Sequence, residues 1–131
     1  MAFATSVPPM LALRRSAQSG SKTMAAAWTV VYTDVSSSNL AYLFGGAKIN
    51  LSLMQAGDNI DIRVRKVVVS GGALVNHDQL SYEDAQPANH PSVSIPAIPD
   101  VYGIEISMRQ TAGALRAIEC EFYVAKVLGT S

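Results

Sequence analysis

A single cysteine, Cys120, excludes an internal disulfide framework and any zinc site built from several thiolates. There are only two histidines, His77 and His90, and neither is near Cys120 in sequence, so no thiol–imidazole nucleophile is spelled out along the chain. No stretch approaches the roughly 18 uninterrupted apolar residues of a membrane helix. The apolar run Val7–Leu13 is broken by Pro8 and Pro9 and precedes its arginines, the reverse of a secretory signal, in which positive charge comes first. The P-loop, the dinucleotide fingerprint, the G-x-S-x-G elbow and H-E-x-x-H are all missing. Net charge is also lacking, with ten basic and ten acidic residues. Arg14, Arg15 and Lys22 are the only charges before Met24, so residues 1–24 carry +3 and the remainder −3. That is far short of the basic clusters that displace counterions from a nucleic acid, and nucleic acid is not an expected partner.

What the chain does contain is period-2 alternation. Between Ile104 and Val124, Ile104, Ile106 and Met108 alternate with Glu105, Ser107 and Arg109. After Gln110–Leu115, around Gly113, Ile118, Cys120, Phe122 and Val124 alternate with Glu119, Glu121 and Tyr123. Successive strand side chains point to opposite faces, so the stretch predicts a β-hairpin with Cys120 as a buried, inert thiol. Its outer face would set Glu105, Glu119 and Glu121 near Arg109 and Arg116 on a solvated sheet surface.

Earlier segments read the same way. Trp28, Val30 and Tyr32 alternate with Thr29, Val31 and Thr33, a strand whose tryptophan would anchor one end of the core. Leu40–Phe44 is stopped by Gly45 and Gly46, and Ile49, Leu51 and Leu53 follow in alternation, giving two more strands. A short helix over Ser37–Phe44 is the local alternative. The turn at Gly57 leads into the longest strand, with Ile60, Ile62, Val64 and Val68 on one face and Asp61, Arg63 and Arg65 on the other. Lys66 breaks the phase there, which predicts a bulge or an exposed edge. Ser70, Gly71 and Gly72 turn the chain into a second hairpin over Ala73–Tyr82. Tyr82–Pro91 reads as a surface loop, Val93 and Ile95 as a brief strand, and Ile98–Asp100 as a connector.

About eight short strands without a helical period predict an all-β fold, an eight-stranded, jelly-roll-like antiparallel sandwich over residues 25–131. An immunoglobulin-like sandwich fits less well, since its tryptophan would lie near the middle of the chain. Residues 1–24, rich in Ala, Ser and Pro, read as an extended N-terminal arm that takes its order from a neighbour or from the domain's own surface.

Candidate chemistry is sparse. His77, Asp78, Glu83, Asp84 and His90 match no ligand spacing, and Asp58 and Asp61 lack the regular series of a calcium loop. Glu119 and Glu121 share a face, but nothing there would separate their pKa values. No catalytic, metal or cofactor site is expected. Tyr32, Tyr42, Tyr82, Tyr102 and Tyr123 with Trp28 are enough rings for a sugar-stacking platform, although such rings more often fill sheet faces.

The series Ala56-Gly57-Asp58, Ile60-Asp61-Ile62-Arg63-Val64, Tyr102-Gly103-Ile104-Glu105-Ile106, Gln110-Thr111-Ala112-Gly113 and Glu119-Cys120-Glu121-Phe122-Tyr123 resembles small jelly-roll decoration (cement) or minor capsid proteins of tailed bacteriophages and related viruses, over residues 25–127. The resemblance implies a non-enzymatic structural protein on the capsid surface of a virion, often trimeric, bound to the major capsid protein or to adjacent copies of itself. Pro8, Pro9, Leu11, Leu13, Arg14 and Arg15 are then the expected anchors of the arm, because an extended segment can add a strand to a neighbour's sheet. Two other readings stay open at this stage: a filament or tail subunit whose arm completes the next copy's sheet, and a carbohydrate-binding module.

Overall fold

The computed structural model describes residues 10–34, 42–100 and 102–128, which hold ten strands and no helix. These are β1 (Met10–Arg15), β2 (Gly20–Thr23), β3 (Thr29–Asp34), β4 (Tyr42–Asn50), β5 (Asn59–Val67), β6 (Leu74–Glu83), β7 (Ser92–Ile95), β8 (Ile98–Asp100), β9 (Ile104–Ala112) and β10 (Ala117–Leu128). One sheet has the order β1-β10-β4-β7, with β2 also on β10 and β8 also on β4; the other has the order β3-β9-β5-β6. Every pairing is antiparallel.

Two of the strands are interrupted rather than separate. β1 and β2 lie end to end along β10, and the break between them is held by the Ser16 amide donating to Phe122 O (2.7 Å) and by Ser19 Oγ accepting from Phe122 N (2.9 Å). β7 and β8 lie end to end along β4, parted at Pro96, which has no N–H to give to the ladder. With each broken strand taken as one, there are eight strands in two sheets of four, ordered first-eighth-third-sixth and second-seventh-fourth-fifth. First pairs with eighth, second with seventh, third with sixth and fourth with fifth: a chain doubled back on itself at residues 68–73 and then rolled. This is the jelly-roll arrangement expected from the sequence.

The inner faces supply the core. Ile60, Ile62, Val64, Ile104, Ile106 and Met108 come from one sheet, and Phe44, Ala47, Ile49, Ile118, Cys120 and Phe122 from the other, all buried. Tyr32 lies between Phe44 and Phe122, its ring 5.2 and 5.1 Å from theirs in tilted packing.

Several local expectations change. The two arms of the expected Ile104–Val124 hairpin do not pair with each other, because β9 lies in one sheet and β10 in the other. The turn around Gly113 is an arch across the core, and the apolar faces that alternation identified meet there, with Cys120 Sγ 3.8 Å from Met108 Sδ. Trp28 does not anchor the core. A bulge between Val30 and Tyr32 shifts the phase of β3, so that Val31 and Tyr32 are buried while Trp28 and Val30 face outward. The bulge foreseen near Lys66 is on the partner strand instead, where His77 of β6 is the extra residue opposite Val64 and Arg65; Val67 is buried, and Val68, just past the end of β5, is 67% exposed rather than inward. Gly45 and Gly46 do not stop a strand but sit within β4, at an irregularity opposite Tyr123 and Val124. Of the alternative helix, Ser37–Ala41 lies outside the described residues, and Tyr42–Phe44 are strand. Ile98–Asp100 is strand rather than connector.

Of the expected arm, residues 1–9 lie outside the described residues. Met10–Arg15 and Gly20–Thr23 pair with β10 of the same chain, and Met24 is a core residue, so residues 10–24 belong to the sandwich instead of extending from it.

Candidate assembly surface

The most organised surface chemistry lies on the outer face of β3-β9-β5-β6. Sheet register sets its side chains in rows. In one row Thr33, Glu105, Arg65 and Asn76 face one another; in the next come Val30, Ser107, Arg63 and Gln79; in the third, Arg109, Asp61 and Ser81, with Trp28 one residue before β3. The outer rows carry matched charges. Arg65 donates to Glu105 Oε1 through Nε (3.0 Å) and Nη2 (2.5 Å). Arg109 Nε donates to Asp61 Oδ2 at 2.8 Å, while Ser81 Oγ donates to Asp61 Oδ1 at 2.7 Å. In the middle row Arg63 stands opposite Ser107, which supplies no charge and donates its hydroxyl to Glu105 instead (3.1 Å).

Trp28 closes this face. Its ring takes the Arg63 guanidinium at 4.3 Å and that of Arg109 at 4.4 Å, each within cation–π distance. Under this cover Glu105, Ser107 and Asp61 are buried although they are on the outward side of the sheet. On a surface expected to be solvated, these groups are therefore enclosed beneath partly exposed arginines. Burial pulls the Asp61 carboxyl upward, and the bonds from Ser81 and Arg109 outweigh it, leaving its pKa below the usual aspartate value. Arg63 Nε is buried without a hydrogen-bond partner, and burial followed by repulsion from Arg65 lowers its pKa.

The corner next to this face is pinned by Asp58. Arg116 donates to it through Nε (2.8 Å) and Nη2 (3.3 Å), the Gln55 amide adds a third bond (2.9 Å), and the Asp58 pKa is lowered, chiefly by Arg116. Gln110, buried, accepts from the Arg116 amide and donates to Ala112 O and Ala114 O, which shapes the arch. Asp58 and Asp61 are thus held by arginines, not set out for a cation. Glu105 and Arg109, expected near each other, belong to separate pairs, because the register runs across β5 and not across a hairpin.

The other candidate residues are scattered. Leu11 and Leu13 lie in β1 opposite Val127 and Ala125; Arg14 and Arg15 are exposed, Arg15 pairing with Glu121 at 3.4 Å; Pro8 and Pro9 lie outside the described residues. Glu119 accepts from Asn50 Nδ2 and Glu121 pairs with Arg15, so these two carboxylates do not act together. His77 and Asp78 are on β6, His90 ends a loop, and Asp84 Oδ1 accepts from the Gly57 amide (2.8 Å). Among the described residues no three His, Cys, Asp or Glu side chains gather as a metal site. Among the described side chains these rings are separated: Tyr32 is in the core, Trp28 is stacked with its arginines, and Tyr123 is beside Lys48, 5.9 Å from it. Cys120 is buried, with its thiol pKa pushed up to about 11 by burial. A depression of about 350 Å³ on the other sheet is lined in part by Arg15, Lys48, Glu119 and Glu121.

Alternation alone missed the Trp28–Arg63–Arg109 stack and the unmatched Arg63 row. It placed Arg63 on the outer face of β5, but only the register of β5 against β9 shows what stands opposite.

No family model matches the chain, and no curated protein does. Solved structures do. The crystal structure of the infectious bursal disease virus VP2 subviral particle superposes with a TM-score of 0.53 at 11% identity, covering 91% of this chain and 32% of that one. The structure of the Gx strain of the same virus gives 0.49 at 11% identity, covering 95% and 33%. The chain thus spans about a third of the length of these virus proteins. At such identity the VP2 match shows a shared fold, the jelly roll, and agrees with the strand order derived above.

Proposed function

We propose that this chain is a non-enzymatic structural protein of a virus, a jelly-roll subunit of the virion shell that works through its surfaces. The observation that carries the reading is the strand order together with its superposition on a viral particle protein over nine-tenths of the chain. The chemistry agrees: the buried carboxylates are bonded to arginines, and the one thiol is enclosed in the core.

Within that reading we favour the decoration or minor-capsid role, in which the chain sits on the capsid surface as a homo-oligomer, a trimer by preference, against the major capsid protein or its own copies. The N-terminal contribution then comes from the sheet edge at β1, where Arg14 and Arg15 are exposed, with Leu11 and Leu13 on the same strand. Purified particles from the source test the proposal. The chain should band with intact shells at a fixed stoichiometry, and shells stripped of it should rupture at lower temperature. Absence from the particles overturns the capsid reading. A stoichiometric presence without which no shell forms at all makes the chain the coat itself, not its cement.

A further inference from the structure

We propose that the outer face of β3-β9-β5-β6 is a contact between copies of this chain, in which Arg63 receives an acidic side chain from the edge strand β6 of a second copy. Three observations carry this. First, of three adjacent rows, two hold an arginine–carboxylate pair and the third sets Arg63 against a serine, so these three rows carry Arg63, Arg65 and Arg109 against only Asp61 and Glu105. Second, the Arg63 guanidinium is already positioned. It lies on Trp28 and makes no ion pair or hydrogen bond among the described residues, so an incoming carboxylate meets a fork that needs little further ordering. Val30, in the same row and 49% exposed, offers apolar surface beside it.

Third, the chain itself holds the complementary group. Residues 78–84 carry Asp78, Glu83 and Asp84 with no lysine or arginine, and they run along and just past β6, the outermost strand of its sheet. Asp78 is exposed, and it accepts a hydrogen bond from the amide of its own neighbour, Gln79. β6 has no fully buried position and, among the described residues, an unpaired flank, without proline or lysine to guard it. An edge and a face of one sheet cannot meet within one molecule, but they can between two. Such a contact is heterologous, so it closes into a ring or runs on as a chain. Fixed carboxylates on both sides of Arg63 suit a single acidic side chain and repel a polyphosphate, which favours a protein partner over a nucleic acid.

This inference rests on the reading of the chain as an assembly subunit, and the experiment separates the two failures. The mass of the full-length protein is followed by light scattering against concentration, between about 50 and 500 mM NaCl. Wild type should associate at low salt and dissociate as salt rises. Arg63→Gln should weaken association about tenfold or more. Arg63→Glu should abolish it, and mixing the Arg63→Glu chain with an Asp78→Lys, Glu83→Lys chain should restore it. Arg63→Gln keeps the measurement sound if the glutamate, set between Asp61 and Glu105, impairs folding. A wild type that stays monomeric throughout overturns the contact. Association that Arg63→Gln leaves unchanged also overturns it, while leaving assembly itself intact. Association driven by added single-stranded DNA and lost in Arg63→Gln moves the site to nucleic acid and overturns the protein partner.

Discussion

A Cβ built on Gly113 would overlap the Asp58 carboxylate, and the backbone there has φ +86°, a conformation that side chains rarely adopt. Gly57 has nearly the same angle, φ +89°, with nothing within 4 Å. The two separate backbone strain from steric displacement. Gly57→Ala should cost about 1 kcal/mol, and Gly113→Ala several-fold more, because it also expels Asp58 from Arg116; paired thermal melts check the order. Asp58 and Asp61 also set the acid response. Both are held below the ordinary aspartate pKa in the folded chain. Their contribution to stability is therefore complete above the unfolded value of about 4 and is lost as pH falls through the lower folded-state values. Melts between about pH 7 and pH 5 should coincide and those below about pH 4 should fall steeply, with a shallower fall in Asp61→Asn. Cys120, with its pKa near 11, should react with a thiol reagent at pH 8 only as fast as the domain opens, so its labelling rate reports unfolding.

At the scale of elements, β10 holds the N-terminal strands to the rest of its sheet: it pairs with β1, β2 and β4, and its Phe122 is fully buried against Tyr32. Phe122→Ala should cost about 3–5 kcal/mol, read as a shift in the denaturant midpoint. A chain starting at Met24 loses both strands on the outer flank of β10 and the serine bonds at Phe122, so it should unfold at markedly lower denaturant than the full chain, instead of remaining an intact domain. Here the limits of sequence are concrete. The inward set of β9 and β10, Ile104, Ile106, Met108, Ile118, Cys120 and Phe122, was legible from alternation, because burial on one face imposes period 2. That the two strands face each other across the core was not, since a short glycine turn serves a hairpin and an arch alike. Trp28 was misplaced because a single bulged residue reverses every side chain beyond it, and nothing local marks the bulge at Val31, whereas Val68 was misplaced because β5 ends one residue before it. The charged face was legible as charged but not as paired, since Arg65 meets Glu105 across 40 positions of sequence and Asp61 meets Arg109 across 48.

At the scale of the whole molecule, the eight-strand count and the jelly roll could be read from turn spacing, whereas the inclusion of residues 10–24 could not, because β1 and β2 are short and carry weak alternation. The doubled-back order has a consequence for how the protein is made. Met10 pairs with Leu128 and Gly20 with Cys120, so β1 and β2 can find their partners only once β10 has been synthesised. The one pairing between consecutive strands that local geometry can start early is β5 with β6, closed by the turn at 68–73. Pairing then spreads outward from the middle of the chain toward both ends, each step closing a longer loop than the last, and the termini join late. Such a chain folds slowly for its size and spends that time with its terminal strands unpaired. A ribosome stalled before residue 117 should therefore display a protease-sensitive N-terminus that becomes protected when β10 is released.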